Sequence, residues 1–274
     1  MSSMRLVDSH CHLNLPDMQA DLSGVMARAA EAGVETVVVP GIDLGSSRKA
    51  VEMAERWPGV YAAVGVHPHH ATGRSSTVQT EIRALAQSPR VVAIGEIGLD
   101  FYRNLAPRPA QLESLRAHLE LAAELGLPVI VHSRSALPEI YTELKAWAAR
   151  NGHQNGRPSG VLHAFSGDLR DAQRAIDLGF FLGVAGPVTY PKAEPLRSTL
   201  SGIASQHLLI ETDAPYMAPA PHRGQRNEPA YVALVARGLA GALGLDAADL
   251  ASLTSRNATR LFGWTHDDTN RHLL

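Results

Sequence analysis

Short apolar runs alternate with longer amphipathic stretches from one end of the chain to the other. The runs are LVDSHCH near Leu6, TVVVP from Thr36, YAAVGVH from Tyr61, VVAIGEIG from Val91, PVIVHS from Pro128, GVLHAFS from Gly160, FFLGVAG from Phe180 and HLLIETD from His207. Between them, stretches such as DLSGVMARAAEAG from Asp21 and PAQLESLRAHLELAAELG from Pro109 place apolar residues three and four apart and close near a glycine that can cap a helix. Alternation of this kind reads as repeated βα units around a parallel sheet. Eight such strands predict an α/β fold, a (β/α)8 barrel of the TIM type.

After the eighth run, APYMAPAPHRGQRNEP leads into PAYVALVARGLAGALG and DAADLASLTSRNATRLFG, both readable as helices on the barrel wall. No stretch is long or polar enough to divide the chain, so residues 1–274 are expected to form a single domain. The last residues, WTHDDTNRHLL, read as a frayed tail.

Composition narrows the chemistry. With 45% hydrophobic and 19% charged residues and no run of ~18 apolar residues, the chain reads as an ordinary globular protein that does not enter a membrane. The start MSSMRLVDS lacks the charged-then-apolar pattern of a signal peptide, and the expectation is a cytoplasmic protein. The single cysteine, Cys11, excludes an internal disulfide and a cysteine-based zinc site, so any metal must be held by His, Asp and Glu. A net charge of −2 offers no global basic field for coating long nucleic acid, though a few phosphates can still be held locally.

The polar residues at the carboxyl ends of the predicted strands form a set. His10 and His12 follow the first strand, His67 the third, Glu96 the fourth, His132 the fifth, His163 the sixth and Asp213 the eighth. In such barrels the strand ends converge on one mouth, where the chemistry sits. Strand alternation would put His10 and His12 on one face and Cys11 on the other, a chelating arrangement rather than a polar turn. Imidazole with carboxylate suits Zn, Mn, Fe or Co, whereas Mg prefers more oxygen. Four of these histidines, His10, His12, His132 and His163, with the two carboxylates are enough for two divalent ions, and the sequence does not choose among Mg, Mn, Zn and similar metals.

The motifs DSHCHL, GVHPHH, GEIGLDFYRN, PVIVHSR, HAFSG, ETDAPYMAP and PHRGQRNEP, in that order, resemble those of the TatD-like metal-dependent deoxyribonucleases, within the wider amidohydrolase group of barrels. The resemblance runs from about Asp8 to NATRLFG at Asn257. It implies a barrel, divalent-metal dependence and hydrolysis of DNA from the 3′ end, with DNA ends, in single-stranded form, as the partner and no obligate protein partner. Carried over by position, it places His10, His12 and Asp213 around one ion and His132 and His163 around the other, with Glu96 bridging. Related barrels bridge their ions with a carbamylated lysine, but Lys49 and Lys145 fall in predicted helices and Lys192 in a loop, which leaves the bridge to Glu96.

Asp213 is the candidate general base, able to ligate through one oxygen and take a proton from water with the other; a purely structural ligand is the alternative. His67 reads as a substrate donor or a solvated loop histidine, and His69 and His70 rank below it. Arg223 and Asn227 are candidates for gripping a phosphate or the terminal nucleotide, although Arg223 can equally pair with Glu228. Asp100 is expected to order its loop or support a ligand, Tyr102 to stack on a base or simply pack, and Glu211 to point deeper into the barrel, where an acid needs a partner. Cys11 reads as core. Two other functions compete with a nuclease: attack on a C–N or carboxylic ester bond by the same activated water, and a metal-bound scaffold without turnover.

Overall fold

A computed structural model describes residues 4–73, 75–151 and 158–264. The eight strands are β1 (Leu6–Asp8), β2 (Val34–Pro40), β3 (Val60–Val64), β4 (Val91–Asp100), β5 (Val129–Arg134), β6 (Gly160–Leu162), β7 (Phe180–Val184) and β8 (Leu208–Ile210). They pair in chain order, every neighbour parallel. The helices are α1 (Pro16–Gln19), α2 (Leu22–Glu31), α3 (Leu44–Arg56), α4 (Ser76–Leu85), α5 (Arg108–Leu125), α6 (Leu137–Asn151), α7 (Leu169–Asp177), α8 (Glu194–Ser201), α9 (Val232–Leu243) and α10 (Ala247–Phe262). The expected (β/α)8 architecture is the one observed.

Local chemistry sets the element ends. Asp43 and Asp168 each accept a hydrogen bond from the third helical residue while that residue's side chain caps back, closing α3 and α7 as capping boxes. Gly126 and Gly263 end α5 and α10 in left-handed conformation, φ 67° and 76°, which a side chain would resist. Expected and observed helices differ at one start: Pro229–Tyr231 form a 3-10 turn before α9.

The strands are buried on both faces, and their side chains divide into two apolar clusters. Outward-facing residues such as Val37, Val39, Val129 and Val131 pack with the helices. Inward-facing Val7, Val38, Ala63, Ile130, Phe181 and Leu209 fill the barrel and meet Leu261, Phe262 and Trp264. Trp264 stacks on Tyr61 and Phe262, with ring centroids 4.8 and 5.0 Å apart. The tail expectation is therefore corrected at its first residue, because the indole is worth more against this aromatic floor than in water; residues 265–274 lie outside the described residues.

The strand expectation is also corrected at β6 and at β1 and β8, each three residues long, the last two being the pair that must close the ring. Beyond them the ring is joined by an irregular seam: Ser9 N–H donates to Ile210 O (3.1 Å), Asp213 N–H to His10 O (2.9 Å) and His12 N–H to Ala214 O (2.8 Å). The buried Asp8 carboxylate reinforces it, accepting from the Thr212 hydroxyl at 2.6 Å and main-chain N–H at 2.9 Å. His10, His12 and Asp213 thus sit just past the strands, on segments that hold one another.

Trp264→Ala is expected to lower unfolding free energy by about 3 kcal/mol, the usual loss for a buried large aromatic. Urea denaturation checks it, and a loss below about 1 kcal/mol would mean that the indole does not floor the barrel.

Candidate metal centre

Glu96 occupies the middle of the mouth, on β4, 2% exposed. Its Oε2 faces one histidine pair, 3.4 Å from His10 Nε2 and 3.5 Å from His12 Nε2. Its Oε1 faces the other, 3.1 Å from His132 Nδ1 and 3.0 Å from His163 Nε2. Asp213 Oδ1 completes the first group, 3.7 Å from His10 Nε2 and 3.4 Å from His12 Nε2, and those two nitrogens are 3.2 Å apart. In the second group His132 Nδ1 and His163 Nε2 are also 3.2 Å apart. Donors about 2.1 Å from a shared tetrahedral ion lie about 3.4 Å from each other, so both clusters have the spacing and chemistry of ligand sets.

Tautomers follow from the far side of each ring. His163 Nδ1 faces Glu211 Oε1 at 3.4 Å and His132 Nε2 faces Asp100 Oδ2 at 3.5 Å. With a metal bound, a hydrogen on each of those nitrogens would leave the lone pair on the nitrogen beside Glu96, the carboxylate–histidine pairing common around bound metals. Glu211 finds its partners deep in the barrel, accepting from Ala164 N–H at 2.6 Å and the Ser9 hydroxyl at 3.3 Å. Asp100 both orders its loop, accepting from the N–H groups of Tyr102 and Arg103, and approaches His69 Nε2 at 2.7 Å.

His67 belongs to this centre more closely than its sequence position implied. Its Nε2 lies 3.5 Å from Glu96 Oε1, and His67, Glu96 and His132 together have ligand spacing. His67 Nδ1, however, accepts the His69 main-chain N–H at 3.1 Å. Burial pushes this imidazole down to about 3, against the pull of Glu96, so the ring is neutral and its hydrogen is on Nε2. The ring is then a donor facing the cavity. A further grouping, His10, His163 and Glu211, also has ligand spacing, but the Glu211 oxygens are already engaged.

The electrostatics centre on Glu96. Burial opposes its ionisation, but the imidazoles of His163, His67 and His10 outweigh it and hold the carboxyl well below the usual range. Burial likewise works against a charge on His163, while Glu96 and Glu211 raise it well above its ordinary value. Asp213 is held low by His12, His163 and His10 against its own burial. Its backbone has φ 56°, a left-handed conformation that aspartate tolerates better than most residues.

The centre opens into a cavity of about 630 Å³ lined by His12, His67, Glu96, His132, Asp213 and Tyr216 among others. Two loop expectations are corrected. Asn227 is fully buried; its Nδ2 donates to Thr212 O at 2.9 Å and Tyr216 O at 2.6 Å, and its Oδ1 accepts from Glu228 N–H. It fixes the loop behind the wall and has nothing left for a phosphate. Arg223 does not pair with Glu228, which takes a bidentate contact from Arg28; it stacks over Tyr190 at 4.2 Å, exposed on the same loop. Neither partner was visible in the sequence, since Glu228 and Arg28 are 200 positions apart.

A (β/α)8 barrel with histidines and carboxylates at its carboxyl-terminal mouth defines the class: a metal-dependent hydrolase. A family model described as TatD related DNase matches residues 7–263, and the chain belongs to that family. An uncharacterized metal-dependent hydrolase, YabD of Bacillus subtilis, is 38% identical over 257 residues, 94% of this chain and 98% of that one. The 3′-5′ ssDNA/RNA exonuclease TatD of Klebsiella pneumoniae is 37% identical over 263 residues, again 94% and 98% of the two chains. The crystal structure of the TatD homolog YjjV from Escherichia coli superimposes with a TM-score of 0.87 at 32% identity, covering 96% of this chain and 99% of that one.

Glu211→Gln is expected to weaken divalent-metal binding about 10- to 100-fold, because the His163 tautomer loses its anionic partner. Competition against a metallochromic chelator reads the change, with circular dichroism to check the fold. Unaltered affinity would mean that Glu211 does not set that ring.

Proposed function

We propose that the protein removes nucleotides from the 3′ ends of single-stranded DNA by hydrolysing phosphodiester bonds at two divalent ions. The observation that carries this reading is the division of Glu96, with one oxygen toward His10 and His12 and the other toward His132 and His163, all within 3.0–3.5 Å. His10, His12 and Asp213 would hold one ion and His132 and His163 the second, with Glu96 between. The substrate class is supported by the relatives named as 3′-5′ ssDNA/RNA exonucleases.

Divalent ions held there would supply Lewis acidity, offsetting phosphate charge and making water more acidic. The chain's own residues do the rest. Asp213, reaching the cavity beside His12, takes the proton of the attacking water. His67 Nε2–H donates to a phosphate oxygen, the role its tautomer allows. Arg103 and Arg134 line the same cavity and offset backbone charge, and exposed Arg223 extends that field along the departing strand. Asp100 and Glu211 keep the ligand rings oriented.

Chelation of the purified protein is expected to abolish hydrolysis of end-labelled oligonucleotides, and added Mg or Mn to restore it; full activity in a metal-free sample would overturn the mechanism. Amides and lactones assayed in parallel test the C–N and carboxylic ester alternative.

Glu96→Ala and Asp213→Asn separate the two carboxylates. Loss of Glu96 should lower occupancy of both ions together in elemental analysis, since each loses an oxygen and their mutual repulsion is no longer offset. Asp213→Asn should keep much of its metal while turnover falls by about 10²- to 10⁴-fold, because an amide cannot accept the proton. Near-parental turnover in Asp213→Asn would reduce Asp213 to a ligand.

A further inference from the structure

Six large apolar side chains are exposed among the described residues, and three of them, Leu105, Tyr216 and Met217, line the cavity. Tyr216 is 55% exposed although its ring centre is only 6.1 Å from that of His12, a candidate ligand. Its backbone, by contrast, is fixed from both sides. Tyr216 N–H donates to Asp213 O at 2.9 Å, and its carbonyl accepts from the buried Asn227 amide at 2.6 Å. Flanking Asp213 and Met217 both adopt left-handed conformations, φ 56° and 51°, which L residues disfavour. Gly186, on the loop after β7, presses so close that a Cβ there would meet Met217 O at 1.9 Å.

A turn of two disfavoured residues, a buried asparagine and a close glycine approach does not bury this ring; it presents it. A rigidly presented aromatic loses little freedom on contact, and its flat face accepts any nucleobase. β4 and β8 stand four places apart in the eight-strand ring, so the loop after β4 lies across the mouth. There Arg134 stacks over Tyr102 at 4.1 Å, a second planar surface. We infer that Tyr216 is the stacking platform for the base of the strand-terminal nucleotide, holding an unpaired 3′ end so that its phosphodiester reaches the centre. The assignment rests on the nuclease reading above.

The test uses the metal-loaded full chain, its Tyr216→Leu and Tyr216→Phe variants, and two single-stranded oligonucleotides, one ending in a normal nucleotide and one in an abasic 3′ residue. The parent should lose about 5- to 100-fold in kcat/KM on the abasic end, the range of a lost base–aromatic stack. Tyr216→Leu should lose a similar factor on the normal end, mainly through KM, and no longer distinguish the two ends. Tyr216→Phe should restore discrimination, since stacking needs the ring and not the hydroxyl. Discrimination retained by Tyr216→Leu, or a loss confined to kcat, overturns the platform while leaving the nuclease reading intact. Failure of the parent to cut any oligonucleotide overturns the nuclease reading, and the platform with it.

Discussion

A buried carboxylate with histidine nitrogens on every side organises this protein. Removing Glu96 from water is expensive unless opposite charge or donors replace the lost hydration. The barrel supplies His10, His12, His67, His132 and His163 from four separate strand ends, each within 3.5 Å of one of its two oxygens. No single segment of chain could achieve this. The requirement explains why the site needs a closed ring of strands, and why its two halves are coupled through one side chain. The field that raises the His163 imidazole is the same field a divalent cation meets on entering.

The seam between β1 and β8 carries the other half of the constraint. Three-residue strands give little pairing of their own, and the ring is completed by Asp8, Thr212 and the main chain of Ser9, His10 and Asp213. Because the closing segments are also the ones that bear His10, His12 and Asp213, closing the barrel brings the first candidate ligand group together. The loop that follows is fixed in turn by Asn227, which ties Thr212, just before Asp213, to Tyr216.

Strand-end residues were legible in the sequence because parallel strands announce themselves as apolar runs, and the residue ending each run is delivered to the mouth by topology. His10, His12, His163 and Asp213 lie just past their strands, whereas Glu96 and His132 stand inside β4 and β5, which run on to Asp100 and Arg134. Loop residues were not legible, because their direction depends on partners that the local sequence does not name. The sequence offers Asn227 to substrate, but its amide is spent on Thr212 and Tyr216. Glu228 looked like a partner for Arg223 until Arg28, from a distant helix, claimed it. His67 reads as a substrate donor from its place after β3, but nothing local reveals that the His69 main chain fixes its tautomer. Trp264 looked like tail because its stacking partners, Tyr61 and Phe262, come from β3 and α10.

The central claim is that one carboxylate joins two metal positions. Electron paramagnetic resonance of the protein titrated with manganese tests it most directly, because two ions bridged by a carboxylate couple their spins. The account predicts that the six-line signal of isolated Mn gives way to an exchange-coupled multiline spectrum as the second equivalent binds. Two uncoupled six-line signals, or saturation after one ion, would contradict it.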